Sequence, residues 1–123
     1  VTDVVVDASA LAALLFDEPD AVPVRRRLQG RVLYSTTLLD YELANTALKK
    51  LRRRPDDSAA ILASMHMVSA LTVHREAPDM VQVLALASAT GLTAYDASYL
   101  WLARRLGAPL VTLDAQLARA AAL

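Results

Sequence analysis

Four acidic residues, Asp7, Glu42, Asp96 and Asp114, stand where short apolar runs hand over to helix-forming sequence. Taken singly, most have an ordinary account. Asp7 or Ser9 serves as the cap of the helix that follows, a place both residue types favour. Asp96 is a first-turn carboxylate, favoured by the helix dipole; a solvated helical face accounts for Lys49 to Arg54, but less well for Glu42, which lies next to an apolar seam. Taken together they raise a different chemistry. Four carboxylates gathered at one place repel one another severely if left bare. The natural counter-charge is a hard divalent cation, Mg²⁺ or Mn²⁺, which prefers carboxylate and water oxygens.

Whether they gather depends on the elements that carry them. Val4-Val5-Val6 has three β-branched residues without polar alternation, and reads as a short strand buried on both faces. Asp7 follows at its C-terminal end, and Ser9 to Phe16 reads as a helix. Pro23 sits in the first turn of a second helix, with Val24 and Leu28 inward and Gly30 closing it. Val32 to Ser35 is a second strand, and Thr37 three residues before Asp40 resembles a capping box.

The helix from Leu38 to Arg54 carries two stripes. Leu39, Leu43, Ala47 and Leu51 make one apolar seam. Beside it run Glu42, Asn45, Lys49 and Arg52: a carboxylate, an amide one turn on, and cations beyond. After the break at Pro55-Asp56-Asp57-Ser58 comes a helix over Ala59–Val68, in which Met65-His66-Met67 reads as packing rather than metal ligation. Leu71 to His74 is a third strand, with His74 structural or at the surface. Pro78 opens a helix to Thr90 that packs through Val81, Leu84, Ala85 and Ala87-Ser88. Asp96 begins a helix ending at Gly107, Leu110-Val111-Thr112 is a fourth strand, and Asp114 precedes a last helix from Ala115 to Leu123.

Strands alternating with helices call for right-handed crossovers and a parallel sheet. The expected fold is therefore α/β, a single domain over residues 1–123 with a central short parallel sheet flanked by helices. Under that topology Asp7 and Asp114 lie just past strand ends, in the position where open parallel sheets bind ligands. Glu42 and Asp96 lie in helix starts at the same edge, with Thr112 and Asn45 placed to support the cluster.

Composition bounds the function. The chain has 123 residues, 55% of them hydrophobic, enough for one well-filled core. Formal net charge is zero, so nucleic-acid binding requires a local basic strip rather than a global field. The absence of cysteine excludes disulfides and thiolate metal sites and fits a reducing compartment. No apolar run reaches the ~20 residues of a membrane span, and no signal-like opening is present, so a cytoplasmic protein without membrane contact is expected.

Val5-Val6-Asp7-Ala8-Ser9, Tyr41-Glu42-Leu43-Ala44-Asn45, Tyr95-Asp96-Ala97 and Thr112-Leu113-Asp114 resemble the motifs of PIN domains. In size and motif order the chain is most similar to VapC-type toxins of bacterial toxin–antitoxin pairs. Each motif is short; the four in this order and spacing are specific. The resemblance implies a Mg²⁺-dependent endoribonuclease whose acidic quartet falls on Asp7, Glu42, Asp96 and Asp114, with Ser9, Asn45 and Thr112 accessory. It also implies an RNA substrate, a homodimer and a cognate antitoxin. Lys49 and Arg52 would supply the strip that holds the phosphates.

Other classes fit less well. A haloacid-dehalogenase-type phosphatase wants a second Asp two residues after the first, where this chain has Ser9. A receiver domain wants a lysine after a late strand, and none follows Lys50. A non-catalytic PIN-like module acting through its antitoxin or partner complex is the alternative that remains, and metal binding separates it from the nuclease.

Overall fold

The computed structural model describes residues 2–123, and its sheet is built outward from β1 (Asp3–Val6). The elements follow as α1 (Ala8–Leu15), α2 (Ala21–Leu28), β2 (Val32–Thr36), α3 (Leu39–Arg53), α4 (Ser58–His66), β3 (Val73–Glu76), α5 (Met80–Thr90), α6 (Ala94–Leu106), β4 (Leu110–Val111) and α7 (Ala115–Ala121). The strands lie in the order β3-β2-β1-β4, and every pairing is parallel. Val5 stands opposite both Tyr34 of β2 and Leu110 of β4.

Strand alternation divides the β1 side chains between two layers. Val4 and Val6 enter a core with Leu11, Val24, Leu39 and Leu43 of α1 to α3. Val5 points the other way, onto Leu102 and Ala103 of α6. Behind α6, Val83 of α5 and Leu117 of α7 complete that layer with Leu100. All three valines are at most 2% exposed, which is why the run shows no polar alternation. Each contributes about 1.5–3 kcal/mol by leaving water. Among the described residues no helix is long and apolar enough to cross a membrane.

The structure departs from the sequence expectations in several places. The third strand runs over Val73–Glu76 rather than Leu71–His74, because a 3-10 turn at Met67–Ala70 takes up Leu71, whose N–H donates to Val68. Arg75 and Glu76 are tolerated on this edge strand because the Arg75 guanidinium pairs with Asp40 through two bonds of 2.6 and 2.9 Å. That pairing also draws Asp40 away from a capping box: α3 starts without a side-chain cap, and the Leu38 N–H donates to Thr36 instead. Met65 packs on the core, but Met67 is 55% exposed.

The largest correction concerns α5. Val83, Leu86 and Ala87 pack inward, whereas Val81 and Leu84 are 80% and 68% exposed, with Ala85 and Ser88 on the same outer side. Both faces of this helix are apolar, so hydrophobic spacing alone could not choose between them.

Candidate active site

The parallel sheet brings the C-terminal ends of β1 and β4 to the same edge, and four helices start there. Asp7 is the N-cap of α1, and Asp114 is the N-cap of α7, accepting from the Leu117 N–H at 2.8 Å. Glu42 and Asp96 lie in the first turns of α3 and α6. Thr93 caps α6 by accepting from the Asp96 N–H at 3.1 Å, which fixes where that turn begins. Cap and functional position are thus compatible for Asp7 and Asp114. The partial positive charge of a helix start also offsets some of the repulsion among the acids.

All four carboxylates line one cavity of about 280 Å³, together with Ala8, Ser9, Asn45, Thr46, Lys49 and Tyr99. Asp7 is the most enclosed, at 3% exposure. Its Oδ1 accepts from Ser9 Oγ at 2.7 Å and from the Ala10 N–H at 3.0 Å, and its Oδ2 accepts from Thr112 Oγ1. Ser9 Oγ in turn accepts from the Leu113 N–H, and Thr112 Oγ1 from the Asp114 N–H, each at 3.0 Å. Two hydroxyls therefore tie the turn after β1 to the turn after β4, and fix Asp7 relative to Asp114.

Burial pushes the Asp7 carboxyl above the usual range despite three donors that work the other way, and the Asp114 charge adds to the rise. Glu42 is raised first by burial and then by the charges of Asp7 and Asp96, against the opposing bond from Tyr99. Asp96 is raised by burial, then by Asp114 and Asp7. The ion pairs Lys50–Glu18 and Arg75–Asp40 involve none of the four. Lys49 is the one basic residue on the cavity wall.

Tyr99 is the residue that sequence reasoning missed. An aromatic at helical spacing is most often a core residue or a subunit contact, and the Tyr99 ring is buried at 1% exposure. Its hydroxyl, however, donates to Glu42 Oε1. Burial and the neighbouring Glu42 carboxylate hold the phenol well above its usual range, so it stays a donor. The available signal was spacing: Tyr99 lies three residues after Asp96, one turn along the same face of α6.

The remaining sequence candidates divide. Ser9, Asn45 and Lys49 line the cavity. Thr112 lies beneath it, buried against Asp7. Arg52 is exposed on α3 and is not part of the cavity wall, and Arg54 lines a separate hollow with Phe16 and Lys50. Among the described residues no three acidic or histidine side chains form a ready-made ligand cluster. The four acids face one another across an open space instead. That donor set, all carboxylate oxygen with room for water, suits a cation such as Mg²⁺, which keeps several waters and takes one or two carboxylates. It does not suit an ion that needs a dry protein cage.

Comparison with known proteins bears on the whole chain. A family profile described as PIN domain matches residues 4–123. Ribonuclease VapC3 of Pyrobaculum aerophilum is 40% identical over 119 residues, covering 93% of this chain and 91% of that protein. Exonuclease VapC9 of the same organism is 39% identical over 114 residues, covering 91% and 80%. The crystal structure of PAE2754 from P. aerophilum superposes with a TM-score of 0.77 at 32% identity, covering 97% of this chain and 79% of that one.

Proposed function

The chain belongs to the PIN-domain family, and from that premise we propose that it is a Mg²⁺-dependent endoribonuclease, the toxin of a toxin–antitoxin pair. The observation that carries the reading is the convergence of Asp7, Glu42, Asp96 and Asp114 on one cavity. The name of the VapC3 relative, a ribonuclease, supports RNA as the substrate class, and the antitoxin partner is what the resemblance to VapC-type toxins implies. Asp7, Glu42, Asp96 and Asp114 would hold the cation, with Mn²⁺ as a substitute. When bound, Mg²⁺ offsets charge developing on the scissile phosphate and acidifies the attacking water.

The chain's own residues do the rest. Asp7 is held rigidly by Ser9, Ala10 and Thr112, so Ser9 and Thr112 act as positioning residues. Tyr99 occupies Oε1 of Glu42, leaving Oε2 to take the proton of the attacking water. The raised proton affinity of Glu42 suits that role. Lys49 and Asn45 line the way out of the cavity, where Lys49 holds the adjoining phosphate. Because water attacks rather than the RNA 2′-hydroxyl, the products carry a 5′-phosphate and a 3′-hydroxyl.

A covalently closed circular RNA tests the reading. With Mg²⁺ the protein should linearise it and leave a 5′-phosphate; with chelator it should not. A circle that survives while linear RNA is eroded from its ends would make the enzyme an exonuclease, as the name of the VapC9 relative has it. Filter binding with uncleaved RNA reads the basic strip in the same system. Lys49→Ala should weaken RNA binding across sequences and lower the salt slope by about one unit, with Arg52→Ala producing a smaller change. Equal losses at both positions would extend the strip along α3.

The homodimer implied by the family has a candidate surface in the outer face of α5. Met80, Val81 and Leu84 are each more than half exposed there, side by side at helical spacing. Leu84→Asp should convert the dimer to monomer in sedimentation equilibrium without unfolding it. A Leu84→Asp protein that still sediments as a dimer would place the interface elsewhere.

A further inference from the structure

The chain has four tyrosines, and they fall into two pairs. Tyr99 is buried against Glu42, and Tyr34 packs its ring on His74 at 5.0 Å between centroids. Tyr41 and Tyr95 are 79% and 61% exposed, and among the described residues neither phenol is hydrogen-bonded and neither ring stacks on another. Each immediately precedes a carboxylate of the quartet, Tyr41 before Glu42 on α3 and Tyr95 before Asp96 on α6. A step of one residue turns a helical side chain by about 100°, so both tyrosines flank the acidic cavity. They line the same neighbouring groove, a space of about 370 Å³ with Leu38, Glu42 and Asn45. Glu42 and Asn45 are walls of both spaces.

We propose that the groove between Tyr41 and Tyr95 is a nucleobase-stacking subsite, where the base adjoining the scissile phosphate leaves its own stack and packs on tyrosine. The proposal rests on the ribonuclease reading above and names how that site grips its substrate.

Three features select this occupant. The one charged group lining the groove is Glu42, an acid, so a phosphate is disfavoured there and the uncharged part of the nucleotide is not. Sequence-tolerant binding of single strands rests on aromatic faces open to solvent, each base stacking on a ring. A protein anchor, by contrast, does best in a closed and desolvated pocket. The Asn45 amide on the shared wall offers both a donor and an acceptor to a base edge. Continuity with the cavity means that a strand reacting at the carboxylates must place an adjacent base within one nucleotide's reach of this groove.

The test uses single-stranded oligoribonucleotides carrying 2-aminopurine at successive positions, bound to the full chain in the non-cleaving Asp7→Asn form with Mg²⁺. Stacking on tyrosine should quench the fluorophore at one or two positions and not elsewhere. Tyr41→Ala and Tyr95→Ala should each remove quenching and weaken binding about tenfold, within the range found for aromatic–base stacking. Tyr41→Phe and Tyr95→Phe should stay within about twofold, because the ring is retained. The salt slope should not move, since no phosphate contact is lost. Alanine variants that bind and quench like the parent would overturn the subsite while leaving the ribonuclease reading intact. Alanine variants that keep RNA binding but lose the cognate antitoxin would assign the groove to protein docking and overturn it equally. Failure of the unsubstituted chain to cleave either circular or linear RNA would instead bring down the ribonuclease reading, and the subsite with it.

Discussion

Asp96→Asn is expected to lower RNA cleavage by about 10²-fold or more, yet to give a protein that melts at or above the parent temperature when both are measured in chelator. The activity loss is the usual scale for deleting one preorganised charge of a transition-state site. The gain in stability follows from proton linkage. Burial and the charges of Asp114 and Asp7 raise the folded-state pKa of Asp96 above its unfolded value. Between those two values the native chain binds more protons than the unfolded chain, so stability falls as pH rises through that window. Above it the deficit is fully present, and asparagine removes it. Melting the two proteins over a pH series should therefore give a difference that grows as pH rises and disappears below the unfolded pKa of aspartate.

Asp7→Asn should lose activity as fully, but its stability gain is smaller. Asp7 accepts from Ser9, Ala10 and Thr112, and an amide in its place turns a donor toward one of them. Asp114→Asn keeps the cap on α7, since asparagine caps as well as aspartate does. Glu42→Gln retains an acceptor for Tyr99 while removing the proton acceptor proposed for the water. Wild-type turnover in Asp7→Asn or Asp96→Asn would remove those residues from the active site.

The contrast between what the sequence disclosed and what it withheld has physical causes. Val4-Val5-Val6 announced a central strand because both of its faces are covered, by α1 to α3 on one side and α6 on the other. The parallel topology then placed four acids at one edge, since β-strand direction and helix starts are coupled in such a sheet. Tyr99 was hidden because a buried phenol has the same apolar spacing as a core residue, and its partner Glu42 is 57 residues away in sequence. The α5 face was misassigned because its outer side is as apolar as its inner side. The shift in β3 reflects a tertiary choice: the Arg75–Asp40 pair makes polar residues acceptable on an edge strand, while the preceding 3-10 turn withdraws Leu71. Arg52 illustrates a limit of helical periodicity. It continues the Glu42–Asn45–Lys49 face in sequence, but the cavity ends at Lys49.

Mg²⁺ should raise the melting temperature of the wild-type chain, and that rise should collapse in Asp96→Asn. A ligand that binds only the folded state stabilises it by mass action, about 2.7 kcal/mol at a hundredfold excess over Kd. For a domain of this size that corresponds to roughly 10 °C. The effect is specific to the cavity if it survives a background of monovalent salt, which screens surface charge but does not replace an inner-sphere cation. It should also weaken as pH falls, because Asp7, Glu42 and Asp96 all have raised proton affinity and protons then compete for the same oxygens. Chelator should abolish cleavage, and restoring Mg²⁺ or Mn²⁺ should recover it. The alternative, a PIN-like module that works only through its partner complex, expects no such shift and no cleavage at any metal concentration. Full RNA cleavage in excess chelator would exclude both accounts and require the carboxylates to act by proton transfer alone.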